Sequence, residues 1–143
     1  MKNNRQGIYM DRIITAFATD DGLSFMERHF GDANQYDIHE INPSEAKFIR
    51  AINNIINEDE EVHADSNKAK GIAYLLKKEK VQVLVSKKFG ANIVRMKKKF
   101  VCILMNDKQI SESIKTIQQN FNVIVDEWEK GETRNFINLK QNS

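Results

Sequence analysis

Three histidines, His29, His39 and His63, and one cysteine, Cys102, are the imidazole and thiol groups available for metal or acid–base chemistry in this chain. His29 stands in the run His29-Phe30-Gly31-Asp32, in a loop after the first apolar segment. Ligands of open α/β sheets gather at the carboxyl ends of strands, and an imidazole there can give a nitrogen to iron. The same ring can instead bond the loop backbone and fix its shape. His63 precedes a helix start and can face the same mouth, whereas His39 falls within a strand, as a structural or exposed residue. Cys102 sits in a buried apolar run, where a thiol acts as a small apolar side chain. A lone cysteine allows neither an internal disulfide nor a four-thiolate site.

No catalytic set accompanies these groups. Asp20 and Asp21 are adjacent, but a metal nuclease needs further acids from separate strands, and two aspartates before Gly22 form a turn signal. Neither a Ser–His–Asp order nor a phosphate loop is present. A non-catalytic protein is expected. Helix starts near Asn67 and Ala91 point backbone N–H groups at the same mouth, and Lys68, Lys87 and Lys88 add positive charge. That arrangement suits an anionic ligand; ordinary helix starts with solvated lysines are the alternative. The clusters Lys77, Lys78 and Lys80 and Lys97, Lys98 and Lys99, like the acidic runs Glu58 to Glu61 and Asp126, Glu127 and Glu129, fit solvated faces. No aromatics are interleaved with the lysines, so nucleic acid is not the expected partner.

The elements that position these groups fit one domain. The 143 residues are 41% hydrophobic and 29% charged, with net charge +2, ordinary values for a globular chain. No apolar run approaches the roughly 20 residues that cross a bilayer, and the polar opening Met1 to Gln6 resembles no signal segment. The expected location is the cytoplasm. Residues 1–10 are expected to form a tail, 11–130 the domain, and 131–143 a loose second tail.

Arg12 to Ala18 is a β-branched, apolar run that stops at Asp20-Asp21-Gly22, which predicts a buried strand. Gln35 to Ile41 alternates up to Asn42-Pro43 and predicts a half-buried one. Ser44 to Asn57 fits either a helical face or, at Ala46 to Ile52, a strand. Ala69 to Lys80 predicts a helix, Val81 to Ser86 a strand buried on both faces, Ala91 to Lys99 a second helix and Phe100 to Met105 another buried strand. Ile110, Ile114, Ile117, Phe121, Ile124 and Trp128 form one apolar stripe, which predicts a long helix over Gln109 to Lys130 closed by Gly131. The stripe serves core packing or a dimer seam. Helices alternating with apolar strands imply right-handed crossovers and a parallel sheet with an antiparallel addition, a mixed α/β fold.

The order of these motifs resembles the dinitrogenase iron-molybdenum cofactor family, found in nitrogenase cofactor carrier and assembly proteins. The resemblance rests on the opening strand with Asp20-Asp21-Gly22-Leu23-Ser24, on His29-Phe30-Gly31-Asp32-Ala33 leading into Tyr36-Asp37-Ile38, and on Gly71-Ile72-Ala73 to Leu76, Val81 to Ser86 and Phe89-Gly90-Ala91. It runs from about Arg12 to about Gln119. It implies a ribonuclease H-like fold, a mixed five-stranded sheet with flanking helices and a long C-terminal helix, and a strand at Ala46 to Ile52. It also implies binding of an iron-sulfur or iron-molybdenum cluster or precursor in metallocluster assembly for nitrogen fixation, near Ser24, His29, Phe30, Gly31, His63, Lys87 and Gly90, with His29 and His63 as metal ligands. Where relatives carry His- and Gly-rich sequence and a Gly-Gly-x-Gly turn, this chain has Val62 to Asn67 and Ser86-Lys87-Lys88-Phe89-Gly90. Those differences motivate a second reading: an interaction or regulatory module of the same fold without a cofactor, using the C-terminal helix for a partner or homodimer.

Overall fold

Alternating apolar residues in the first run build the centre of the sheet. In the computed structural model, which describes residues 10–54 and 65–141, β1 (Ile13–Thr19) sends Ile13 and Phe17 to one face and Ala16 and Ala18 to the other, all buried. β2 (Gln35–Ile41) and β3 (Ala46–Asn53) return antiparallel. β4 (Val83–Ser86) and β5 (Val101–Leu104) pair parallel beyond β1. A sixth strand, β6 (Ile137–Asn138), pairs parallel with β5, giving the order β3-β2-β1-β4-β5-β6. The sheet is mixed α/β, as expected, but has six strands among the described residues rather than five.

Helices cover both faces. On one, α1 (Asp65–Lys78) and α2 (Ile93–Met96) pack Ile72, Ala73, Leu76 and Met96 over Ala16, Ile38, Leu84 and Cys102. On the other, α3 (Ile110–Gln119) and α4 (Phe121–Trp128) pack Ile110, Ile117, Phe121 and Ile124 over Ile13, Phe17, Val83, Val101 and Ile103. None of the described helices is long and apolar enough to cross a membrane.

Three expectations change. The long C-terminal helix is broken at Asn120, whose side-chain Nδ2 donates to Thr116 O at 2.8 Å. An asparagine side chain that bonds nearby backbone competes with helical continuation. The apolar stripe nevertheless continues across the break and is spent on the chain's own sheet. The second helix has four residues instead of nine, because the N–H groups of Lys98 and Lys99 turn back onto Arg95 and Met96 and deliver Phe100, fully buried, into the core. Finally, the segment after Gly131 does not trail away. Arg134 is 6% exposed; its guanidinium donates to Trp128 O and Lys98 O and lies over the Trp128 ring at 4.3 Å. It thereby ties the segment down just before β6.

The free edge at β3 is blunted. Ile49 is left unpaired where Ile38 faces Arg50 and His39 faces Phe48, a bulge, and Lys47 and Arg50 add charge along the strand. Bulges and basic side chains are the usual guards against edge-to-edge pairing.

Arg134→Ala should cost about 2 kcal/mol, the scale of hydrogen bonds from a charged donor, and should free β6. Chemical denaturation gives the first quantity. Faster deuterium exchange at Leu139, whose N–H is bonded to Leu104 O, reports the second; unchanged exchange there would refute the tie.

Candidate functional site

The loops that follow β1 and β4 meet above the sheet, and an aromatic stack joins them. Phe30 lies against Tyr36 of β2 (centroids 4.7 Å apart) and against Phe89 (5.3 Å, nearly parallel). All three rings are buried. The Phe30 N–H donates to Lys88 O at 2.8 Å, so the two loops are also tied through backbone. Beneath the turn at Phe30–Asp32, the Tyr36 hydroxyl donates to Phe30 O at 2.9 Å. The Asn54 side chain donates to Gly31 O, Ala33 O and the Tyr36 hydroxyl. The turn's carbonyls are thus satisfied from the floor, and its His29 side chain is left at the surface.

Beside this stack is a cavity of about 240 Å³ lined by residues that include His29, Gly31, Ile72, Gly90, Asn92 and Met96. Gly90 has φ +72°, and a Cβ there would come within 2.8 Å of His29 Nδ1. The glycine therefore serves twice: it takes a left-handed turn that favours glycine, and it makes room for the imidazole. The Nδ1 edge of His29 rests against Gly90.

Of the site residues named from sequence, His29, Phe30, Gly31 and Gly90 line this one cavity. Ser24 does not. Its hydroxyl donates to Asp21, and its backbone bridges to Gln109 at the start of α3. Lys87 is also turned aside, with its ammonium on Glu27 at 2.6 Å. His63 and Lys68 lie outside the residues and side chains described. His39 packs edge-on between Phe17 and Phe48, and burial lowers its pKa, favouring neutral imidazole. Cys102 is fully buried, and burial pushes its thiol up to about 12, which removes it as a thiolate donor. Sequence reading missed Asn54, Asn92 and Met96. Only Asn54 carries a signal, as a polar residue just past the end of a strand.

Asp20 and Asp21 are structural. Burial raises the pKa of Asp20, but Arg28 and the Asn34 N–H lower it by more. Asp21 accepts the N–H groups of Ser24 and Leu23, which, with the Ser24 and Thr19 hydroxyls, hold its carboxyl at about 2. Among the described residues, no group of three or more His, Cys, Asp or Glu side chains is placed to hold a metal ion.

The dinitrogenase iron-molybdenum cofactor family model matches residues 11–120. Two solved structures are similar in fold. The crystal structure of a candidate dinitrogenase from Methanocaldococcus jannaschii is 19% identical with a TM-score of 0.56, covering 78% of this chain and 92% of that one. An NMR structure of the same protein is 16% identical with a TM-score of 0.51 over the same shares. No curated protein sequence matches the chain.

Two predictions follow the geometry. Gly90→Ala should destabilise the protein by about 1–2 kcal/mol, the cost of a left-handed residue with a Cβ, and should displace the imidazole. Unchanged stability and unmoved His29 ring resonances would contradict this. The Asp21 carboxyl is depressed from 3.8 to about 2, so its contribution is complete above the unfolded value and disappears as pH falls through the folded one. Protection of the Leu23 and Ser24 amides relative to their intrinsic exchange should therefore fall over that window, and the fall should be absent in Asp21→Asn. The same acid response in both proteins would assign it to other groups.

Proposed function

The chain belongs to the dinitrogenase iron-molybdenum cofactor family, and on that premise we propose that it is a non-catalytic binding or carrier protein. Its cargo is an iron-sulfur or iron-molybdenum cluster, or a precursor of one, seated in the cavity beside His29. The observation that carries this reading is the exposed His29 imidazole, set at the cavity beside Gly90.

The donor set decides which cargo fits. A bare metal ion needs several protein ligands, and the described residues gather no such group. A preassembled cluster brings its own bridging sulfides and can be held through a single imidazole. Phe30 and Phe89 wall the seat and Met96 supplies a soft thioether. One protein bond also suits a carrier, since the cargo must leave as readily as it enters. Three other groups near the loop are not free for proton transfer: the Tyr36 hydroxyl is buried with its pKa raised by desolvation, and Asp20 and Asp21 are engaged in the loop. The strand order β3-β2-β1-β4-β5 supports the ribonuclease H-like arrangement, with β6 as an addition.

Anaerobic titration of the purified protein with isolated iron-molybdenum cofactor, followed by absorbance and metal content, should give stoichiometric uptake. His29→Ala should weaken it by at least about tenfold, the scale on which metal sites respond to loss of a fixing group. Full uptake by the alanine variant would remove His29 as the attachment point. No uptake by folded wild-type protein would favour the interaction-module reading.

A further inference from the structure

Four cations from two stretches of the chain converge on a groove on the outer side of the α1–α2 layer. Lys70 of α1, Arg95 of α2, and Lys98 and Lys99 line a cavity of about 210 Å³ with Ala73, Met96 and Glu132. All four cationic residues are exposed. Among the described residues none of them is paired with a carboxylate, whereas Arg28, Arg50, Lys87 and Lys130 each are.

Two more cations are built into the wall. Lys77 Nζ donates to Lys99 O at 3.2 Å and lies near the Phe100 and Trp128 rings, and Arg134 Nη1 donates to Lys98 O at 2.9 Å. These bonds fix the backbone that presents Lys98 and Lys99. Mutual repulsion is felt at Lys77, whose pKa is lowered by burial and then by Arg134 and Lys99. An ordinary solvated face spreads its charge; one that gathers like charges opposes its own folding and gains when a counter-charge arrives.

We propose that this groove docks an acidic peptide segment of a partner protein, its carboxylates meeting Lys70, Arg95, Lys98 and Lys99 and a small apolar side chain resting on Ala73 and Met96. Sequence-tolerant nucleic-acid grooves add rings on which bases stack, and no aromatic side chain lines this one. Met96 lines both this groove and the His29 cavity, so a docked partner stands beside the cargo seat. Docking needs no cluster and is independent of the carrier reading.

The test uses cargo-free protein and a fluorescein-labelled peptide of alternating glutamate and leucine, read by anisotropy. Arg95→Glu with Lys98→Glu should weaken binding by about tenfold or more, as loss of interfacial charge pairs does. Lys115→Glu with Lys140→Glu, an equal change in net charge elsewhere, should leave it within about twofold. Equal loss in both variants, no binding by wild type, or tighter binding of oligothymidylate would each overturn the proposal. Amide shifts at Lys98 and Lys99 that vanish when Glu58, Glu60 and Glu61 become glutamine would place the chain's own acidic run in the groove, and would also overturn it.

Discussion

The Tyr36–Phe30–Phe89 stack is the contact on which the rest of the site depends. Each ring comes from a different stretch of chain, and none is held by local structure alone. Burying them together joins the loop after β1 to the loop after β4, at the carboxyl ends of neighbouring parallel strands. Aromatic pairs in this geometry gain about 0.5–1.5 kcal/mol beyond their area. The Phe30–Lys88 backbone bond then fixes the height of the turn. The stack thus sets where His29 emerges and how wide the adjoining cavity is.

The buried polar groups around that stack show why the seat is rigid. The buried Tyr36 hydroxyl donates to the carbonyl of Phe30, and the partly buried Asn54 amide donates to those of Gly31 and Ala33. Removing the Tyr36 hydroxyl would leave a buried acceptor unpaired, a cost of about 1–3 kcal/mol. Among the described residues, a site so supported presents one imidazole and the Met96 thioether. On the proposed carrier reading, specificity would come from shape and from a single bond, and exchange of the cargo would follow from having few attachments. The basic groove across Met96 is built in a similar way, with Lys77 and Arg134 bonding the carbonyls beneath its exposed cations.

Much of this was legible in the chain. The half-buried β2 and the stripe from Ile110 to Trp128 carry periods that match one element type, and the first strand, β4 and β5 read as short apolar runs bounded by turn residues. His29 and Gly90 were likewise legible as residue types at strand ends. The bulge at Ile49, the break at Asn120 and the return of β6 were not, since each depends on a competing local bond or on a distant partner. Asn120 is an unremarkable helix residue until its amide finds Thr116 O. Arg134 signals an exposed tail until Trp128 and Lys98 offer carbonyls and a ring.

By itself the sequence determined the alternation of strands and helices and the burial of Cys102, because periodicity and residue type act locally and survive without knowledge of neighbours. Only the tertiary structure decided that His29 rests on Gly90, that Ser24 and Lys87 face away from the cavity, and that cations 25 or more residues apart, Lys70 and Arg95, share a groove. Those outcomes are set by which loops the sheet brings together, and strand order is a property of the whole packed core.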